Sequence, residues 1–202
     1  MPVAGRRYHF RCWIDRSLAL SGNDPLIDIL GNCEGFFSMQ KSRLTDLGIS
    51  IEGCEISHLA FRTLTYPEYL EARARLEEHA QANLENVWNG RPISKILLRS
   101  PLDLGDGFSV RMIELIPPMH QCVYRMGLEH VGVVIGEGVD EFGKTHRSVL
   151  TGQQYQGPVN EPYFIRFEDY TNVKFYRRSL KDVCEMEGRP FAGFVHVERW
   201  QG

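Results

Sequence analysis

C-E-I-S-H-L-A-F-R-T-L, residues 54–64, alternates in the manner of a β-strand. Side chains in a strand repeat every two residues, so Ile56, His58, Ala60 and Arg62 share one face. Thr65-Tyr66-Pro67-Glu68 follows directly and combines a capping box with a proline in the first helical turn. Tyr69, Ala72, Leu76, Ala80 and Leu84 then recur at helical spacing. Strand-like runs come next at residues 84–88, 92–98 and 108–116, separated by the hairpin signals Asn89-Gly90 and Gly105-Asp106-Gly107. This block reads strand, helix, strand, strand, strand, and Pro117-Pro118 closes it.

Toward the amino end, residues 26–47 place Leu26, Ile29, Leu30, Cys33, Phe36, Phe37, Leu44 and Leu47 at intervals of three and four. Asn23 or Asp24 is positioned to cap this helical segment and Gly48 to end it, while Gly31 and Gly35 argue against one unbroken helix. Toward the carboxyl end, L-E-H-V-G-V-V-I at 128–135 is another strand. Residues 136–162 are polar and glycine-bearing, with undecided helix content. Residues 163–168 and 172–176 form a hairpin around Asp169-Tyr170-Thr171, and Ser179 to Val183 begin a short helix or turn. The second half repeats the first in outline, with a period of about 70 residues. The chain is thus α+β, with a helical segment at 1–48 and repeating units at 49–127 and 128–202.

Composition narrows the functional classes. At 202 residues with 43% apolar and 24% charged side chains, the chain holds a core without needing disulfides or a structural metal. A net charge of −3 and no basic run give no footing for nucleic acid. The five cysteines are odd in number, scattered and never spaced C-x-x-C, which fits reduced thiols rather than a secreted framework. No segment approaches the roughly 18 apolar residues of a membrane span. The amino end lacks the apolar stretch of a signal peptide. The expectation is a cytoplasmic protein with neither membrane nor nucleic acid as partner.

Three polar residues interrupt apolar strands: His58 in I-S-H-L-A-F-R, His130 in L-E-H-V-G-V-V-I, and Glu114 in R-M-I-E-L-I-P-P. An unpaired buried charge costs several kcal/mol, on the order of a domain's whole stability, so Glu114 is either solvated or partnered. Taken singly, a strand histidine is more often an ordinary core or surface residue. Taken together, two imidazoles and a carboxylate on separate strands make a donor set for a divalent first-row metal, Zn, Fe, Mn or Ni, with positions left open. His9, His79, His120, His146 and His196 lie in helix, loop or tail contexts and receive no role.

H-L-A-F-R at 58–62, N-G-R-P-I at 89–93, I-E-L-I-P-P at 113–118, L-E-H-V at 128–131 and V-K-F-Y at 173–176 together resemble the YecM-type proteins of the glyoxalase/vicinal oxygen chelate superfamily. The order and spacing match over residues 26–187. The resemblance implies two βαβββ modules whose curved mixed sheets enclose a shared pocket. It also implies metal ligands from the first and last strands of each module: His58 and Glu114 from one, His130 from the other. YecM-like proteins carry lysine, phenylalanine, histidine on the last strand, and many superfamily enzymes a glutamate nearby. Here the run reads Lys174-Phe175-Tyr176. A phenol with a pKa of about 10 is a poor ligand at neutral pH, which implies three protein ligands plus water, or weaker metal binding.

Arg62 and Arg91 suit an anionic substrate, because a guanidinium forks onto carboxylate or phosphate. Arg62 paired with Glu114 or Glu129 as a buried ion pair is the competing reading. With Glu129 or Tyr176 moving a proton, the resemblance implies a metal-dependent lyase, isomerase or dioxygenase acting on a small anionic, oxygen-rich molecule. A non-catalytic protein that binds or sequesters such a molecule is the alternative, and a homodimer is compatible with either.

Overall fold

A computed structural model describes residues 25–118, 123–157 and 159–197. Helices α1 (Pro25–Leu30) and α2 (Cys33–Asp46) split at Gly31, whose φ of +82° is left-handed and ends the first helix. Asn32 caps α2 by accepting a 2.8 Å hydrogen bond from the Gly35 N–H. A Cβ on Gly35 would stand 2.4 Å from the Asn32 amide, so both glycines serve the break. The sequence's alternative caps, Asn23 and Asp24, lie outside the described residues.

The first module is β1 (Glu55–Arg62), α3 (Tyr66–Glu77), β2 (Ala80–Trp88), β3 (Arg91–Gly105) and β4 (Phe108–Ile116). Thr65 and Glu68 form the reciprocal capping box. Helix α3 ends at Glu77, earlier than the spacing of Ala80 and Leu84 indicates. Those two residues join β2, where Ala80 pairs with Leu98 and Leu84 with Lys95, so the cross-strand ladder overrides the local helical period. Asn89 and Gly90, at φ 47° and 74°, make the tight turn between β2 and β3. The second module is β5 (Gly127–Val134), α4 (Val139–Thr145), β6 (Gly152–Gln153), β7 (Tyr163–Arg166) and β8 (Asn172–Tyr176), followed by α5 (Leu180–Met186) and β9 (Phe194–Val195). The polar stretch after β5 therefore supplies α4, and both modules are βαβββ.

The modules fuse into one curved, open mixed sheet in the order β6-β7-β8-β5-β1-β4-β3-β2-β9. Antiparallel β1–β5 pairing joins the halves, while β4 runs parallel to β1 and β8 parallel to β5. The alternation of side chains then sorts the sheet's two faces. Leu59, Ile113, Leu115, Val131, Val133, Val173 and Phe175 enter the main core with Phe37, Leu44, Tyr69 and Leu76 of the helices. The opposite face carries His58, Ala60, Arg62, Met112, Glu114, His130 and Gly132, because cross-strand partners share a face. Helix α5 covers part of that face, packing Leu180 and Cys184 with Leu97 and Met112. No helix of the described residues is long and apolar enough to cross a membrane.

Candidate metal centre

Three central strands converge on one polar cluster. His58 on β1 and His130 on β5 are each 1% exposed. Their Nε2 atoms lie 3.2 Å apart, and Glu114 Oε2 on β4 lies 3.9 Å from the first and 3.3 Å from the second. Atoms around a four-coordinate ion with bonds of about 2.0–2.2 Å stand roughly 3.3–3.6 Å from one another, so the spacing fits a metal. Among the described residues this is the His/Cys/Asp/Glu group of three able to hold one.

Small residues let the two rings lean together. His58 pairs across the sheet with Gly132, and Ala60 with His130. A Cβ on Gly132 would lie 2.5 Å from the His58 ring. Each histidine therefore faces a residue too small to obstruct it.

Two β-bulges hold the far side of each ring. Pairing passes from Ile56↔Val133 to His58↔Gly132, leaving Ser57 as an extra residue, and from Ala60↔His130 to Phe61↔Leu128, leaving Glu129 as another. A bulge re-aims the extra side chain. Ser57 Oγ sits 2.9 Å from His58 Nδ1 and accepts a 2.7 Å bond from the Leu180 N–H. Glu129 Oε1 sits 3.2 Å from His130 Nδ1, and its other oxygen accepts from Arg62 Nε. An ionised carboxylate only accepts, so a proton on His130 Nδ1 serves Glu129 and frees the Nε2 lone pair for an ion shared with His58 and Glu114, whereas without an ion Glu114 competes for that proton.

Burial and neighbouring charges act on each of these groups. Burial pushes the His58 imidazole down to about 3, with Glu114 opposing and Lys174 and Lys95 adding to the fall. Burial alone would raise Glu114, but the His130 contact, then His58 and Lys174, hold its carboxyl well below the usual range. Glu129 is likewise raised by burial and held low overall by His130 and Arg62. Burial, then Glu114, lifts the Tyr176 phenol well above its ordinary value, so it stays protonated.

A pH dependence follows. An unfolded histidine takes up a proton at about pH 6.5, the folded His58 only near 3, so between these values the unfolded chain binds more protons. Stability of the metal-free protein should fall as pH drops through that window. The two depressed carboxylates add their loss below about pH 4.3. Urea midpoints measured from about pH 7 down to about pH 5 should decline. His58→Gln should flatten the decline, whereas an equal slope in that variant would contradict it.

The other sequence-derived residues are placed as follows. Arg62 is engaged on several sides: Nε donates to Glu129, Nη1 donates to the Pro117 carbonyl at 3.1 Å, and the guanidinium lies 4.0 Å over the Tyr124 ring. The Arg62–Glu129 ion pair is thus present, the competing reading of that arginine. Arg91 is 7% exposed beside it; burial and then the Arg62 charge lower its pKa, with Tyr124 and Glu129 opposing. Tyr176 packs its ring edge-on to His58, 5.4 Å between centroids. Sequence reasoning missed Ser57, Gly132, Lys95 and Lys174. The S-H dipeptide and the lone strand glycine were the available signals for the first two.

The YecM protein family profile matches residues 26–187. A solved structure described as "Structural Genomics, Protein EC4020" shares the fold at a TM-score of 0.68 and 20% identity, covering 84% of this chain and 98% of that one. Looser overlaps reach a mutant of the fosfomycin resistance protein FosX from Listeria monocytogenes, complexed with Mn(II) and 1S,2S-dihydroxypropylphosphonic acid (12% identity, 65% and 95% covered, TM-score 0.27). They also reach a mutant 4-hydroxymandelate synthase from Streptomyces coelicolor (11% identity, 63% and 48% covered, TM-score 0.30). Overlaps that loose carry no weight for the site. No curated protein matches the chain. With the profile spanning most of its length, the chain belongs to the YecM family.

Proposed function

We propose that the chain is a metal-binding protein of vicinal-oxygen-chelate type, with His58, His130 and Glu114 holding a divalent ion and a small oxygen-rich anion as ligand. One observation carries this reading: three lone-pair atoms from three strands meet within 3.9 Å in a buried place, and both far-side Nδ1 atoms are already held. Such atoms meet around a shared proton or a cation, and a divalent ion serves all three at once. Histidine ligands are commonly oriented by such a carboxylate or hydroxyl on the opposite nitrogen. A bound ion would supply Lewis-acid polarisation of the ligand's oxygens, stabilising an enolate or oxyanion.

The chain's own residues then divide the remaining work. Glu129 keeps the proton on His130 Nδ1 and so fixes the ring, rather than exchanging protons with substrate. Arg62, already engaged by Glu129 and Pro117, positions that carboxylate. Arg91 supports anion recognition beside it. Tyr176, protonated and against His58, acts as a donor to the ligand rather than as a fourth metal ligand. Lyase, isomerase and dioxygenase chemistry are all open to such a centre.

Protein loaded in turn with Mn(II), Fe(II), Ni(II) and Zn(II) can be screened against 2-oxo acids, hydroxy acids and catechols. Turnover with one metal, abolished in His58→Ala/His130→Ala, is the expected result. Metal-dependent binding without turnover across the screen would establish the sequestering alternative. Turnover undiminished in the double variant would overturn the reading.

A further inference from the structure

Lys174 occupies a special place that the strand registers define. His58 and His130 are equivalent in the two modules, as are the small residues Ala60 and Gly132 two positions on. In the first module Ala60 pairs with Glu114 of β4; in the second, Gly132 pairs with Lys174 of β8. Lys174 therefore stands where Glu114 stands in the other half, and Tyr176 takes the place of Ile116. The twofold plan that puts a carboxylate ligand on one side puts an ammonium on the other.

Among the described residues Lys174 makes no ion pair or side-chain hydrogen bond, although the charges of Glu114 and Glu129 reach it. Lys95 pairs across the sheet with Glu114 on the same face, its Nζ donating to Asn86. Arg91 is buried close to Arg62. Arg62 and Glu129 neutralise each other, which leaves Glu114 facing Lys95 and Lys174. A divalent ion adds further positive charge. An excess of cations on a largely buried face is costly until an anion arrives.

We propose that Lys174 is the anion-binding residue that sets ligand class, pairing with an acidic group of a small dianion whose adjacent oxygens face the metal centre. The inference rests on the metal reading above and narrows its ligand from an anion to a dianion. A monoanion would satisfy the ion and leave the lysine unpaired. Charge-assisted pairing of this kind is worth about 10- to 100-fold in affinity.

Racemic malate and racemic lactate share a 2-hydroxy carboxylate and differ by the second carboxylate, so they serve as probes. Calorimetric titration of Mn(II)-loaded protein should show malate binding about 10-fold or more tighter than lactate. Lys174→Met should erase that preference while leaving lactate and Mn(II) affinity within about twofold. Lys174→Glu should mimic Glu114, raising Mn(II) affinity about 10-fold or more while weakening malate. Circular dichroism and melting curves establish that each variant is folded. The proposal is overturned if the wild type binds malate no better than lactate, if Lys174→Met retains the preference, or if Lys174→Glu leaves Mn(II) affinity unchanged. Should the wild type bind none of Mn(II), Fe(II), Ni(II) and Zn(II), the metal reading fails instead, and the malate–lactate difference in metal-free protein still decides the role of Lys174.

Discussion

Glu129→Ala should destabilise the protein by about 3–5 kcal/mol, among the largest effects of any single substitution in the sheet. The carboxylate is 5% exposed and serves two buried partners, the Arg62 guanidinium and the His130 ring. Its removal strands Arg62, 2% exposed, as a buried charge left, among the described residues, with the Pro117 carbonyl and the Tyr124 ring face. Replacing both members, as Arg62→Met/Glu129→Leu, should recover most of the stability, because the penalty lies in the unpaired charge and not in the missing attraction. Urea unfolding of both variants measures this. Metal affinity should stay about 10- to 100-fold low in both, since His130 Nδ1 has lost its acceptor in each. An Arg62→Met/Glu129→Leu protein with full metal affinity would show that the bulged carboxylate does not orient the ligand.

Gly132→Ala should weaken metal binding about 100-fold through one methyl group. The added Cβ would sit 2.5 Å from His58 Cε1 and 2.6 Å from Nδ1. The ring has little room to retreat. It is 1% exposed, tied to Ser57, and bounded by the rings of His130 and Tyr176. Gly132 shows no left-handed φ, so the substitution alone would otherwise add about 0.4–1 kcal/mol by restricting the unfolded chain. Overpacking should reverse that sign, costing about 1–3 kcal/mol. Titration of Mn(II) into the variant tests the site, and a wild-type affinity would show that the two rings need not meet at this separation.

The sequence made the site face readable for a simple physical reason. Strand side chains alternate, so polar residues at 58, 114 and 130 advertise themselves against apolar neighbours. The Thr65–Glu68 cap and the Asn89-Gly90 turn are local chemistry and were equally plain. What stayed hidden depends on register. Ser57 and Glu129 sit beside histidines in the chain, where alternation would aim them at the opposite face; only the bulges bring them to the rings. Lys174 looks like an ordinary strand lysine until β8 is paired with β5 and the module repeat sets it opposite Glu114. The end of α3 was misplaced because Ala80 and Leu84 fit a helical period and a strand equally well, and only the β3 partner decides.

Whether His58, His130 and Glu114 hold a metal is decided by the protein's metal content. Reconstitution of the purified protein with Zn, Fe, Mn and Ni in turn, followed by dialysis and elemental analysis beside His58→Ala/His130→Ala, tests it most directly. The account expects near-stoichiometric metal in the wild type for at least one of these ions and next to none in the double variant. Equal, near-zero metal in both proteins after reconstitution would contradict it.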